Sequence, residues 1–337
     1  MIRVAPLLAD DEAEWDAYVV SRPGTHFAQR TAWRLIMKEF FPATERALLA
    51  RDDAGRIVGV LPAYRRRDAL FTAPGGLVAD HADAARALLD TARAEVSRDS
   101  LRWLELRDQA VAWPGLETNP EHVTLVLVLA ADEDVQWTSF DAKLRNQIRK
   151  AQKSGLTCRR GHEHLPAFHR VFSECMRDLG TPAMEAAYFT RVLERYGEAA
   201  DVFVAYRGEE PVGGMFVVRH GDTLFDPWAA SLRRYFHLNP NNLVYWEALR
   251  HAIATGLRRF DFGRSQPGSG TYRFKEQFGA RTLPLFYQYV LGRATRVPTL
   301  EDQKSSFDLA VRIWRRLPLP VTRALGPRAR RLFPEAL

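Results

Sequence analysis

A chain of 337 residues, 46% hydrophobic and 26% charged, is long for one core and ordinary for a globular protein of two domains. Its formal charge of +7 is unevenly placed: residues 141–160 and 304–337 carry +6 each, so the remainder is net acidic, which indicates two local contacts with anions and argues against a generally cationic polymer binder. Cys158 and Cys175 are the only cysteines, no His or Cys stands at metal-ligand spacing, and no apolar run reaches the length of a membrane span or a signal segment; the expectation is a cytoplasmic protein without disulfide framework or metal.

In chain order, a helix is predicted near Gln29 to Phe40, strands near Ala47 to Arg51, Ile57 to Tyr64 and Ala69 to Ala73, a helix over Ala84 to Val96, a strand at Leu101 to Leu106 and a closing strand at Val123 to Leu129. The order then recurs. Leu49-Ala50-Arg51, Gly55 to Val60 and Ala69-Leu70-Phe71 reappear as Val204-Ala205-Tyr206, Glu210 to Met215 and Thr223-Leu224-Phe225, and Leu101 to Leu106 matches Leu257 to Phe262, all at an offset of about 155 residues. The second copy adds helices near Pro166 to Met176 and Met184 to Tyr196, has its crossover helix at Leu243 to Thr255, and closes with Leu285 to Leu291. Antiparallel strands followed by helix and strand predict, in each half, a mixed, largely antiparallel sheet flanked by helices, an α/β (mixed α+β) fold used twice. The expected boundaries are 1–132, 133–295 and a basic tail over 296–337.

Between the halves, Thr138 to Lys153 has a helical pattern with Phe140, Leu144, Ile148 and Ala151 on one face; Arg145, Asn146, Arg149, Lys150 and Lys153 spread over the other with no acidic partner at helical spacing, either as a solvated face or as a phosphate-binding one. In the tail, Phe307 to Leu317 sets Phe307, Val311 and Trp314 opposite Arg312, Arg315 and Arg316. Such a helix can lie on an anionic membrane surface or pack back onto the domain with its arginines in water.

The stretch with most chemical content is Phe260 to Ala280: a strand (Phe260, Phe262), a loop with Gly263, Pro267, Gly268 and Gly270, and a helix start for which Thr271 offers a capping hydroxyl. Junctions of this kind lie at the ends of sheet strands, where ligands of open sheets bind, with Tyr272, Arg273 and Lys275 at the rim. Asp226, flanked by Phe225 and Pro227-Trp228, is a candidate general base whose pKa burial would raise. Asp178, Asp261 and Glu247 are further candidate carboxylates, Asp261 either catalytic or held by a structural partner such as Arg177, and Tyr245 and Tyr272 are aromatic groups able to position a substrate or pack a rim.

The tandem repeat, the basic run Lys143 to Leu156, and Asp261-Phe262-Gly263 with Phe274-Lys275 resemble the Fem family of aminoacyl-tRNA-dependent acyltransferases, built from two GNAT-like domains. More narrowly, Met176 to Pro182, Tyr245 to Leu249 and Gly268 to Lys275 are similar to FemAB-type proteins associated with exosortase (PEP-CTERM) and exopolysaccharide systems. The resemblance implies two tandem GNAT-like domains, a donor aminoacyl-tRNA with no tightly bound cofactor, and an amine acceptor on a peptidoglycan- or exopolysaccharide-related precursor. It also implies that Phe274 and Lys275 lie beside the reacting groups, where a fixed ammonium stabilises the charge that develops on a carbonyl oxygen. With Asp226 they form the expected catalytic set, and Arg264, Arg177, Asp178, Tyr245, Tyr272, Arg273 and Asn241, with Arg107 and Asp108 of the first copy, the expected substrate contacts. The Arg145 to Lys153 face would hold phosphates of tRNA or of a nucleotide-linked precursor, and the basic tail, where it does not pack back on the domain, offers a peripheral contact with the inner membrane.

Two alternatives stay open. An acyl-CoA-dependent acyltransferase acting on a sugar or surface intermediate would hold pyrophosphate on a glycine-rich turn before the crossover helix, yet no glycine occurs from Asp222 to Thr255, although Asn239 to Asn242 open a helix able to accept an anion. The other is a non-catalytic assembly partner in exopolysaccharide export.

Overall fold

The structure is a computed structural model that describes residues 1–298 and 308–332; the tail residues Lys304 and Phe307, and the side chain of Asp108, lie outside what it describes. The chain forms two compact units, one of residues 1–123 and 283–300, the other of residues 124–282 and 301–337.

In the first unit the strands are β1 (Arg3–Pro6), β2 (Thr44–Glu45), β3 (Leu48–Arg51), β4 (Ile57–Leu61), β5 (Ala63–Arg66), β6 (Ala69–Thr72), β7 (Val78–Ala79) and β8 (Trp103–Gln109), with helices α1 (Glu12–Ser21), α2 (Thr31–Phe40) and α3 (Ala82–Arg98). The expected strand over Ile57 to Tyr64 is broken at Pro62, which has no N–H to give a ladder, and its halves join different sheets: β1-β3-β4-β7 and a sheet containing β8-β6-β5-β2. The buried face of α3, with Ala85, Leu88 and Ala92, packs over Leu70, Leu104 and Leu106.

The strand β9 (Glu117–Val128) crosses from one unit to the other. The second unit continues with α4 (Glu133–Ser139), α5 (Ala142–Lys153), β10 (Leu156–Arg160), α6 (Leu165–Leu179), α7 (Ala186–Tyr196), β11 (Ala200–Arg207), β12 (Glu210–His220), β13 (Thr223–Ser231), α8 (Pro240–Ala254), β14 (Arg259–Ser265), α9 (Gly270–Glu276), β15 (Arg281–Leu291), α10 (Asp308–Arg316) and α11 (Leu319–Leu332). Its sheet order is β10-β11-β12-β13-β14, followed by the Thr124 to Val128 part of β9. From Leu283 onward β15 belongs to the first unit, antiparallel to β8.

The closing strands are therefore exchanged relative to the sequence expectation, which gave Val123 to Leu129 to the first half and Leu285 to Leu291 to the second. Both are apolar strands of similar length, and local pattern does not record which edge a strand completes.

Residues 138–153 are likewise two helices rather than one: α4 ends at Ser139, with Phe140 extended after it, and Asp141 caps α5 by accepting the Leu144 N–H at 2.6 Å. Leu144, Ile148 and Ala151 are buried against α8 as their spacing predicts. The tail packs back on α6. Val311 fills the space beside Gly180, Arg315 donates to the Leu179 carbonyl at 3.2 Å, Arg323 donates to Ser173 Oγ at 3.0 Å, and Gly326 sits against the Ala183 backbone.

Candidate functional site

The site grows out of a defect in the second unit's sheet. Strand β13 pairs with β12, and between Val218↔Phe225 and Phe216↔Trp228 it carries an extra residue, a bulge formed by Asp226 and Pro227. A bulge tolerates a proline that the ladder would not, and it turns the strand. On its other side β13 runs parallel to β14 for three positions only, Thr223↔Arg259, Leu224↔Phe260 and Phe225↔Asp261. Asp226 is the next residue, so it stands at the carboxyl end of a parallel pair that has just stopped pairing, the place where open sheets bind ligands.

Asp226 is buried, with 7% of its surface exposed. Tyr245, from α8, donates its hydroxyl to Oδ2, while Oδ1 has no hydrogen-bond partner. Burial pushes the carboxyl up to about 6, held from rising further by the Lys275 ammonium and the Tyr245 hydrogen bond. The Tyr245 hydroxyl is raised well above its ordinary range by burial and by the carboxylate it serves. Its ring stacks on Phe262 at 5.5 Å and meets Phe274 edge-on at 5.1 Å.

Lys275 is almost as buried, at 8%. Its Nζ donates to the carbonyls of Gly263 at 3.0 Å and Arg264 at 3.2 Å. An ammonium has three hydrogens, so one is left for a ligand. Burial lowers its pKa, opposed first by Asp226 and then by Asp261. The carbonyls that hold it are aimed by a short network: Gly263 adopts φ +72°, its N–H donates to Asp261 Oδ1 at 2.8 Å, and Thr124 donates its hydroxyl to the same oxygen at 2.5 Å. The helix bearing Lys275 is capped by Ser269, which accepts the Tyr272 N–H at 3.1 Å; Thr271, the residue expected to cap it, already lies inside α9.

Of the sequence-predicted residues, Asp226, Tyr245, Phe274 and Lys275 come together. Arg264 contributes its carbonyl and is otherwise exposed, Arg273 is exposed, and Tyr272 points its hydroxyl at Thr282 Oγ1, 2.9 Å away. Arg177 pairs with its neighbour Asp178 at 2.7 Å rather than with Asp261, whose carboxylate is used by Thr124 and Gly263. Asn241 lies half-buried in the first turn of α8. In the first unit Arg107 is buried, paired with Glu105 at 3.3 Å and lying over the Phe71 ring at 4.4 Å.

On α5, Asn146 and Lys150 line an open recess of about 560 Å³ with Lys143, Gln147 and Asn239, the residue before α8. Asn242 ties the two helices by donating to Gln147 at 3.2 Å. Arg145 turns back to the Thr138 carbonyl at 3.1 Å, Arg149 lies over Trp137, and Lys153 is exposed outside the recess. Thr124, Gln147 and Ser265, whose buried Oγ has no partner, were not singled out by sequence; small polar residues in strands and helices carry no pattern of their own.

Residues 138–276 match the family model described as an acetyltransferase (GNAT) domain. The second unit carries a GNAT acyltransferase domain. Over 83–88% of its length the chain also shares its fold with solved structures. FemX is 16% identical, with a TM-score of 0.70 over 86% of this chain and 98% of that one. The C-terminal domain of a putative lysylphosphatidylglycerol synthetase from Agrobacterium fabrum is 12% identical, at 0.58 over 83% and 92%. A tandem GNAT protein from the clavulanic acid biosynthesis pathway is 12% identical, at 0.55 over 88% and 100%. No curated protein matches the chain significantly. Among the described residues no helix is long and apolar enough to cross a membrane. Within the GNAT domain the parted strands, the buried carboxylate and the buried ammonium lie on the matched residues, as does the α5 recess.

Proposed function

We propose that the chain transfers an aminoacyl group from aminoacyl-tRNA to an amine of a cell-envelope precursor, without a tightly bound cofactor. The observation that carries this reading is the meeting, at one strand end, of a buried carboxylate with an unpartnered oxygen and a buried ammonium with a hydrogen to spare. The acceptor nitrogen attacks the ester carbonyl carbon and the C–N bond forms. Negative charge gathers on the carbonyl oxygen beside Lys275. The nitrogen's proton passes to Asp226, the ester C–O bond breaks, and the same proton leaves with the departing hydroxyl. Phe274 and Tyr245 pack beside this pair, and Tyr272, Arg273, Arg264 and Asn241 are assigned to substrate.

The likeness to FemX and to a putative synthetase of an aminoacylated phospholipid supports the aminoacyl donor and the envelope acceptor. Lys150 and Asn146 in the recess, with the rest of the α5 face, are assigned to phosphates of the tRNA or of a nucleotide-linked precursor. The narrower kinship with exosortase-associated FemAB-type proteins, and an exopolysaccharide-related acceptor with it, rests on the residue runs at Met176 to Pro182 and Gly268 to Lys275.

One observation favours a second reading, an acyl-CoA donor: the matched model is that of an acetyltransferase, and the recess beside α8 would take the coenzyme's phosphates. Against it stands the lack of any glycine from Asp222 to Thr255. A donor screen separates the two: charged tRNAs and acyl-CoAs are offered with a cell extract as acceptor, and acylated products are read by intact mass. Transfer from charged tRNA alone is expected; turnover with acyl-CoA alone would replace the first reading by the second.

A further inference from the structure

The tail helices hold a feature that the proposed acyl transfer does not use. Helix α10 lies at the end of α6 through Val311 and the Arg315 side chain, with Trp314 half-buried on the same face. At 100° per residue, Leu309, Arg312, Ile313 and Arg316 fall on the opposite face, away from α6. That face is open: Leu309 is 71% exposed and Ile313 54%. On α11, which docks through Thr322, Gly326 and Arg323, Val321 and Leu325 are exposed in the same way. From residue 309 to 332 there is no Asp or Glu.

We infer that this outward face is a docking surface for an anionic lipid bilayer, with the helices lying in the plane of the headgroups. The arginines complement the negative surface, and the leucine and isoleucine between them enter the acyl boundary. A nucleic acid would satisfy the arginines but would leave four large apolar side chains in water, so the apolar residues favour lipid. The surface concerns where the protein sits and does not depend on which donor it uses.

The full chain is sedimented with phosphatidylcholine vesicles with and without phosphatidylglycerol, at low and high salt, beside the variants Leu309→Ser/Ile313→Ser and Arg312→Ser/Arg316→Ser. Both pairs lie on the solvent face, and circular dichroism with thermal melting checks that they fold as the parent does. Binding to the anionic vesicles only, weakened by salt and reduced roughly tenfold or more by either pair, is expected. Three results overturn the proposal: no binding to anionic vesicles, equal binding to neutral ones, or binding that the apolar pair leaves unchanged, the last being the mark of a surface for polyanions in general.

Discussion

The two parallel strand pairs β6/β8 and β13/β14 have the same register, Leu70↔Leu104 and Phe71↔Glu105 in the first unit, Leu224↔Phe260 and Phe225↔Asp261 in the second. One residue further on, they differ. Where the second unit has Asp226, the first has Thr72, fully buried, whose hydroxyl accepts the Arg107 N–H of the neighbouring strand at 2.9 Å. Where the second has Gly263, the first has Arg107 itself, its side chain packed on Phe71 and paired with Glu105. One copy is stitched shut by a side chain. In the other, the Gly263 N–H bonds back to its own strand through Asp261, Asp226 turns to Tyr245, and a polar gap is left with one carboxylate oxygen unclaimed. Two differences at equivalent positions thus separate a closed strand end from the candidate site.

The largest effects should come from the two charges in the gap. Asp226→Asn is expected to slow acyl transfer about 10² to 10⁴-fold, the span of a lost general base. Its pH signature is specific. Below about 6 the carboxyl is protonated and cannot accept a proton, so the parent's rate rises as pH passes through about 6, and the Asn variant should lack that limb. Stability runs the other way: with a folded pKa raised above the unfolded one, the group's contribution is fully present below about 4 and is lost as pH rises through about 6. The difference in melting temperature between variant and parent should therefore move in the variant's favour across that window. A rate profile that keeps its acid limb in the variant would assign the base elsewhere. Lys275→Ala should cost about 10² to 10³-fold, as for one lost oxyanion donor. Single-turnover rates measure this, and turnover equal to the parent's would remove Lys275 from the chemistry.

Gly263→Ala attacks the same gap through the backbone. At φ +72° a side chain is strained, and its Cβ would lie 3.1 Å from the Asp226 carbonyl oxygen, so a cost of about 1 to 2 kcal/mol in stability is expected. Because the Gly263 carbonyl holds Lys275, the variant should also lose activity beyond what its denaturation midpoint explains. A variant with parental stability and rate would mean that the glycine is incidental.

What was legible in the sequence follows from this comparison. The repeat made the fold readable, since alternating Leu, Phe and Val positions report strands and their faces. Asp226 was readable because a charge inside an apolar run is conspicuous, and Lys275 because it follows a glycine-rich loop at a strand end and, with Phe274, matches a motif of the Fem family. The gap was not, because it arises from a bulge and a divergence of strands that no local spacing records. Nor was the exchange of β9 and β15, since the choice between two similar edges is decided by tertiary packing. Thr124 and Ser269 were missed for a third reason: a hydroxyl in a strand or loop looks the same whether or not it holds a partner.

The smallest effect tests the closed copy. Thr72→Val keeps the shape of a fully buried side chain and removes the acceptor of the Arg107 N–H. A buried N–H without a partner costs about 1 to 3 kcal/mol, which the denaturant midpoint should register. The rate of acyl transfer should stay that of the parent, because the substitution touches none of the groups that hold Asp226 or Lys275. If Thr72→Val leaves the midpoint unmoved, the stitch is not what keeps the first copy closed. The burial of Arg107 over Phe71 would then be the better explanation, and Arg107→Leu, which keeps bulk on Phe71 but takes the guanidinium from Glu105, would be the variant to compare.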